Sequence, residues 1–307
     1  MKISTSLLFD RATSQMSTVQ NKLASAQAQM SQGKQIISPS DAPDQAAVIT
    51  RFKGIIQRND SFINTLNTAS ARYRAEETAL QNVSDGIIRM RELGIQAAND
   101  TLGPVDRQAL ALEMGGLRDQ IMSLANSQDT GGTYLFGGSR VSEPAFGVDA
   151  TGAFVYNGDQ TKVNVLVGDQ RAVQLNRPGS DVFERVLRTN AAGNPEGVSF
   201  FQAMDDMVQA VQDSDRAGMQ IGLGEFSAMT DSISLALAHV GTNMNVVDAQ
   251  QVVIDETILR LKTLLSDVED LDFATAITQM NKDMLSLEAA QSSFSKITQL
   301  NLFNYIK

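Results

Sequence analysis

The chain contains no cysteine, and that absence at once excludes disulfides and thiolate metal sites. Its single histidine, His239, has no second imidazole to join in a metal site and no partners for a catalytic triad. It reads as a surface residue flanking Val240. No run approaches the ~18 apolar residues that a membrane helix requires, so no membrane partner is expected. Positive charge is short as well. Lys and Arg number 25 against 35 Asp and Glu, a net charge of -10. Binding to nucleic acid needs concentrated cations, so no nucleic-acid partner is expected either. There is no Gly-Lys-Ser/Thr phosphate loop, and Gly222-Leu223-Gly224 lacks the third glycine of a dinucleotide fingerprint. Nothing in the chain points to a cofactor or to an enzyme. The opening Met1-Lys2-Ile3-Ser4-Thr5-Ser6-Leu7-Leu8-Phe9-Asp10 has too short an apolar run for a clipped secretory signal. Any export is expected to use another route.

What the chain does have is periodicity. Phe226, Ile233, Val240, Val247, Ile254, Leu261 and Val268 recur at every seventh step. Leu237, Met244, Ile258 and Leu265 run beside them, with Gln251 as a polar interruption. Two such registers make one stripe along an α-helix, the pattern of a coiled coil or long bundle. At about 1.5 Å per residue this helix spans roughly 65 Å. The stripe resumes as Phe273, Met280, Leu287 and Phe294, continued by Ile297, Leu300 and Phe303. Near the other end Phe9, Met16, Leu23 and Met30 repeat it. The thirteen methionines fall mostly on these seams and read as adaptable packing.

Proline is scarce, and none occurs between Pro43 and Pro104. A helix is predicted there, with Asp41 as its cap and Pro43 in its first turn. Val48, Ile55, Phe62, Ala69, Val83, Met90 and Ala97 form one of its registers. A shorter helix follows Pro104, carrying Leu110, Met114, Leu117, Ile121 and Leu124.

The character changes at Asp129-Thr130-Gly131-Gly132. Tyr134-Leu135-Phe136 reads as a strand. Ala153–Tyr156 and Val163–Val167 flank Asn157-Gly158, a strong hairpin signal. A helix near Phe200–Val211 follows, and Gly218, Gly222 and Gly224 punctuate the chain before the last rod. The acidic group Asp267, Glu269, Asp270 and Asp272 reads as a solvated joint, and Asp205-Asp206 as a solvated helix face.

The expected fold is mainly α: an elongated antiparallel helical bundle or coiled coil formed by both termini, with a small β-rich inserted domain. Three domains are expected: a terminal helical assembly domain of residues 1–40 and 270–307, a long helical bundle of 41–129 and 223–269, and a β-rich outer insert of 130–222 with a short helix. Each Leu, Phe or Met on a stripe stabilises by about 1.5–3 kcal/mol only when covered. Ordering a residue costs about 1–2 kcal/mol of backbone entropy. The terminal segments Met1–Ile37 and Asp270–Lys307 are therefore expected to be loose alone and ordered by neighbouring subunits.

Several short segments together resemble a known family. They are Met1-Lys2-Ile3-Ser4-Thr5, Gln29–Lys34, Pro39-Ser40-Asp41-Ala42-Pro43, Gly116–Ile121, Leu124-Ala125-Asn126, Tyr134-Leu135-Phe136-Gly137-Gly138 and Ala289–Lys307. In this order they resemble the flagellar hook-associated protein 3 family, hook–filament junction proteins related to flagellin. Arg89–Asn99 is similar to the long-helix segment of flagellin itself, so a filament subunit is the alternative, ahead of a non-flagellar secreted or signalling coiled coil. The resemblance implies a secreted, non-enzymatic subunit of the extracellular flagellum, exported by the flagellar type III apparatus. It implies a homo-oligomeric ring between another hook-associated protein and flagellin, with an export chaperone on the C-terminal region. The expected assembly interface is Phe9, Met16, Leu23, Met30, Phe273, Met280, Leu287, Phe294, Ile297, Leu300 and Phe303.

Overall fold

The computed structural model describes residues 2–183, 185–189 and 195–303; side chains at 2–6, 8, 189, 195 and 297–303 lie outside the description. The helices are α1 (Lys2–Gln32), α2 (Pro43–Ala97), α3 (Pro104–Ala125), α4 (Phe200–Gln212), α5 (Arg216–Glu269) and α6 (Phe273–Phe303). Between α3 and α4 the described residues form the strands β1 (Phe146–Val148), β2 (Phe154–Tyr156), β3 (Asn164–Leu166), β4 (Ala172–Gln174), β5 (Val186–Thr189) and β6 (Pro195–Val198). The fold is mainly α, a helical bundle with a small β-rich insertion. The backbone divides into two compact units, one of residues 1–58 and 256–307 and one of 59–255.

In the first unit α1 packs on α6. Gly33 ends α1 at φ +66°, a left-handed conformation that glycine adopts without strain. Asp41 does not cap α2. Its carboxylate reaches back to the Ile37 and Ser38 amides at 3.2 and 2.8 Å. The helix boundary falls on Ala42, whose carbonyl accepts the Ala46 amide at 2.9 Å, one residue beyond Asp41. At the start of α6, Asp272 caps as an N-terminal aspartate should, accepting the Ala274 amide at 3.0 Å and the Thr275 hydroxyl at 2.7 Å. Val48, expected on the seam, is exposed, and its neighbour Ile49 takes the inward place.

In the second unit the expected seams form the core. Phe226, Ile233, Val240 and Val247 of α5 are fully buried, as are Leu80, Val83, Ile87 and Met90 of α2. Met114 and Ile121 of α3 join them, and α3 also packs on α4. Gly218, Gly222 and Gly224 do not punctuate the chain before the rod; they lie inside α5. Added Cβ atoms on Gly222 and Gly94 would meet Met207 at 2.6 and 2.5 Å, so Met207 of α4 occupies the space both leave. Close helix approach, not helix termination, is what these glycines allow. Asp205 and Asp206 are not simply solvated: Arg118 pairs with Asp205, and Arg188 bridges Asp206 at 2.6 Å and buried Glu225 at 2.6 Å.

The strands form three separate antiparallel pairs, β1–β2, β3–β4 and β5–β6. Two expectations fail here. Tyr134-Leu135-Phe136 is a loop, buried at Leu135 and Phe136, with a single bridge from Tyr134 to Gln128. Asn157-Gly158 does not turn a hairpin, because β2 pairs backward with β1. The turn that wins is Asp149–Ala153. There the Asp149 carboxylate accepts the Thr151 and Ala153 amides at 2.8 and 3.0 Å, and Gly152 sits at φ +86°. Past Asn157-Gly158 the chain is instead held by Asp159, which accepts the Ser139 amide at 2.7 Å and the Thr161 amide at 3.0 Å.

These hydrogen bonds, with one from the Ser139 hydroxyl first among them, lower the Asp159 carboxyl to about 2. The folded value lies below the unfolded one, so the stabilisation is complete above the ordinary aspartate range and is lost as pH falls toward 2. Acid titration followed by NMR should show the Ser139 and Thr161 amides shifting together near pH 2. In Asp159→Asn that transition should vanish; its persistence would assign the titration to another group.

Three residues of α2 hold the insertion. Arg72 donates to Asp129 at 2.7 Å, to the Thr133 hydroxyl at 3.0 Å, and to the Tyr134 and Leu135 carbonyls at 3.1 Å each. Burial raises the Asp129 carboxyl, but hydrogen bonds from Thr133 and Gly131 and the Arg72 charge outweigh it, and the group sits below the usual value. Tyr73 donates to the Gln174 carbonyl, and burial, with Glu76 nearby, pushes its phenol up to about 12. Glu76 pairs with Arg177 at 2.8 Å; burial raises its carboxyl while the Arg177 charge pulls it back. Beyond these ties lies an aromatic cluster, Phe136, Phe146, Phe183, Phe200 and Phe201, with ring centroids 5.2–5.9 Å apart.

Candidate assembly interface

The pairing of α1 with α6 follows from two anchors. At one end the Leu271 amide donates to the Gly33 carbonyl at 3.0 Å, and the Gln35 amide to the Glu269 carbonyl at 2.8 Å. At the other, the rings of Phe9 and Phe294 lie 4.8 Å apart. The helices are therefore antiparallel, and the register sets Met16 level with Leu287, Leu23 with Met280 and Met30 with Phe273. The two seven-residue repeats read at opposite ends of the chain share one seam. Ile297, Leu300 and Phe303 extend the repeat, but their side chains lie outside the described residues.

That seam is only half covered. Phe9 and Phe273 are 50% and 49% exposed, and Met16, Leu23, Met30, Met280, Leu287 and Phe294 are intermediate. Among the described residues of α1 and α6 only Val19 is buried. The core of the second unit behaves differently, with residue after residue of the same repeat at 0%. Two helices bring two faces together; full burial of such stripes takes a third and fourth. Apolar residues outside the expected set widen the uncovered face: Leu7, Ile277, Met284 and Leu285 are all exposed, Leu285 at 66%. Sequence reasoning passed over these four: Leu7 and Leu285 sit off the seven-residue register, and Ile277 and Met284, four steps after Phe273 and Met280, form a companion register of only two members. Their signal was runs such as Met284-Leu285 that are apolar on more than one helix face.

Among the described residues, no group of three or more His, Cys, Asp or Glu could hold a metal, and no helix is long and apolar enough to cross a membrane. His239 is exposed on α5. A cleft of about 270 Å³ beside Arg188 is lined by Asp206 and Glu225, both of which that arginine already engages in ion pairs.

Helices contributed by both ends of one chain, with a β-rich segment inserted between them and an apolar face left partly bare, define a helical-bundle protein. Residues 3–140 match the bacterial flagellin N-terminal helical region, and residues 226–306 the bacterial flagellin C-terminal helical region. The chain belongs to the bacterial flagellin family and is a flagellar structural protein. It is 26% identical to flagellar hook-associated protein 3 of Salmonella typhimurium over 321 residues, covering 99% of each chain. To the Escherichia coli protein of the same name it is 25% identical over 324 residues, covering 100% of each. The fold is also that of a putative flagellar hook-associated protein from Vibrio parahaemolyticus, with a TM-score of 0.67 at 20% identity, over 75% of this chain and 100% of that one.

Proposed function

We propose that the protein is the subunit of a homo-oligomeric ring joining flagellar hook to filament, the surface onto which flagellin assembles. The observation that carries this reading is the half-covered seam between α1 and α6. Its residues, Phe9, Met16, Leu23, Met30, Phe273, Met280, Leu287 and Phe294, with Ile297, Leu300 and Phe303 beyond them, complete their burial on neighbouring subunits. Higher identity to hook-associated protein 3, 26% and 25% against 22% for a flagellin that also matches along 98% of the chain, supports the junction over the filament. On one side the ring meets another hook-associated protein, on the other flagellin. Before assembly the region 270–307 is covered by an export chaperone, which keeps the same apolar stripe from water. The subunit leaves the cell through the flagellar type III apparatus, a route that suits a chain with no disulfide to lock it.

Absence of cysteine also supplies the test. Ala150→Cys, in the exposed turn between β1 and β2, gives one thiol for dye labelling on living cells. A single short band at the distal end of each hook is expected; dye along the whole filament would overturn the junction reading. Deletion of Leu300–Lys307 should leave normal hooks, shed flagellin into the medium and abolish motility. Intact filaments after that deletion would count equally against it.

A further inference from the structure

The acidic run at the end of α5 contains one residue that behaves unlike its neighbours. Asp267, Asp270 and Asp272 are exposed, whereas Glu269 is buried, 6% exposed. One oxygen of its carboxylate, Oε1, receives Lys34 Nζ at 2.6 Å and Lys53 Nζ at 2.8 Å. Those lysines come from different segments. Lys34 lies just past α1, and Lys53 lies on α2. The main chain of Glu269 is engaged too, its carbonyl accepting the Gln35 amide, while Leu271 two residues on donates to Gly33. Lys34 and Asp270 form an isolated antiparallel bridge, and the Phe273 ring lies 3.7 Å from where a Cβ on Gly33 would stand.

We infer that Glu269 is a positioning residue that fixes the α1/α6 pair on the start of α2 and the end of α5, within the first unit. The inference rests on the assembly role proposed above for that pair. The chain passes between the arms and the rest of the unit twice, at 33–42 and at 269–272. Backbone hydrogen bonds tie these two crossings to each other. The Glu269–Lys53 contact ties both to α2. A buried carboxylate is costly unless it is paired, and an apolar side chain would fill the same space without that cost. What two ammonium groups on one carboxylate add is a three-way tie: both ion pairs close only when the ends of α1 and α5 and the first turns of α2 lie within reach of one another. The arms then present their composite face in one orientation to every neighbour.

The test uses the full chain, with Ser31→Cys on α1 and Arg51→Cys on α2, both exposed, carrying spin labels for pulsed distance measurement. The unaltered joint should give one narrow distance distribution. Glu269→Gln should widen it at least twofold, and so, to a lesser degree, should Lys34→Gln and Lys53→Gln, whose half-exposed positions tolerate substitution. Glu269→Lys combined with Lys34→Glu and Lys53→Glu should narrow it again. Equal widths in the unaltered and Glu269→Gln joints, or no recovery in the charge-swapped chain, would overturn the inference. In cells, incorporation of Glu269→Gln should fall at least tenfold and recover in the swap; unchanged incorporation would also overturn the positioning role. Failure of the junction reading itself would show separately, as a misplaced band from unaltered protein labelled at Ala150→Cys.

Discussion

Leu287→Asp should yield a subunit that is made, exported and folded in its second unit, yet absent from flagella. Leu287 stands in the middle of the α1/α6 seam, level with Met16, and is only partly covered in the single chain. A carboxylate there is tolerable while one side of the seam faces water. It becomes intolerable when a neighbour closes over it, because an unpaired charge must then lose its hydration. The buried leucine is also lost, about 1.5–3 kcal/mol per covered side chain. In the proposed ring the loss would be repeated at every contact. Motility should fall to background, while thermal melting of residues 59–255 stays within a degree or two of the unaltered protein. Substitution at the exposed outer position Lys282→Asp is the control and should assemble normally. Unchanged incorporation of Leu287→Asp would remove the α1/α6 seam from the assembly mechanism.

Arg72→Ala should damage the other unit. The guanidinium is buried and makes four hydrogen bonds that join α2 to Asp129, Thr133, Tyr134 and Leu135. Its removal leaves the buried Leu135 carbonyl and the part-buried Tyr134 carbonyl without their donor and the Asp129 carboxylate without its counter-ion. Breaking a buried pair from one side costs about 3–5 kcal/mol. For a unit of this size that lowers the melting temperature by on the order of 10 °C. Arg72→Lys should recover only part, since one ammonium cannot reach four acceptors arranged around a planar fork. Calorimetry on the full chain would read this transition. A shift under about 2 °C would mean that water replaces the arginine at little cost.

Residues such as Arg72 and Glu76 explain why part of the fold was readable and part was not. The long helices, their proline boundaries and the seven-residue seams were visible because helical periodicity is a local property. The β-rich insert, expected over 130–222, was visible from Asp129 onward as a change of composition. Yet the seam through Ala69 and Val83 skips Glu76, and that gap was the trace of a buried ion pair whose partner, Arg177, lies a hundred residues on. Glu269 was likewise hidden among acids that are solvated, since nothing local marks which of four will meet Lys34 and Lys53. The hairpin at Asn157-Gly158 failed for a related reason. Its turn propensity was real, but Asp149 offered a competing turn and Ser139 captured Asp159 from outside the local window.

That the chain forms long helices and that both its ends carry matching apolar stripes followed from residue spacing alone, because a helix is stabilised by neighbours three and four residues away; the start of α5, which runs through three glycines, did not. The antiparallel register that aligns Phe9 with Phe294, the partial cover of that seam, and the inward turn of Glu269 and Arg72 came from packing. Such contacts join residues tens to hundreds of positions apart, where burial and charge pairing, not spacing, select the partner.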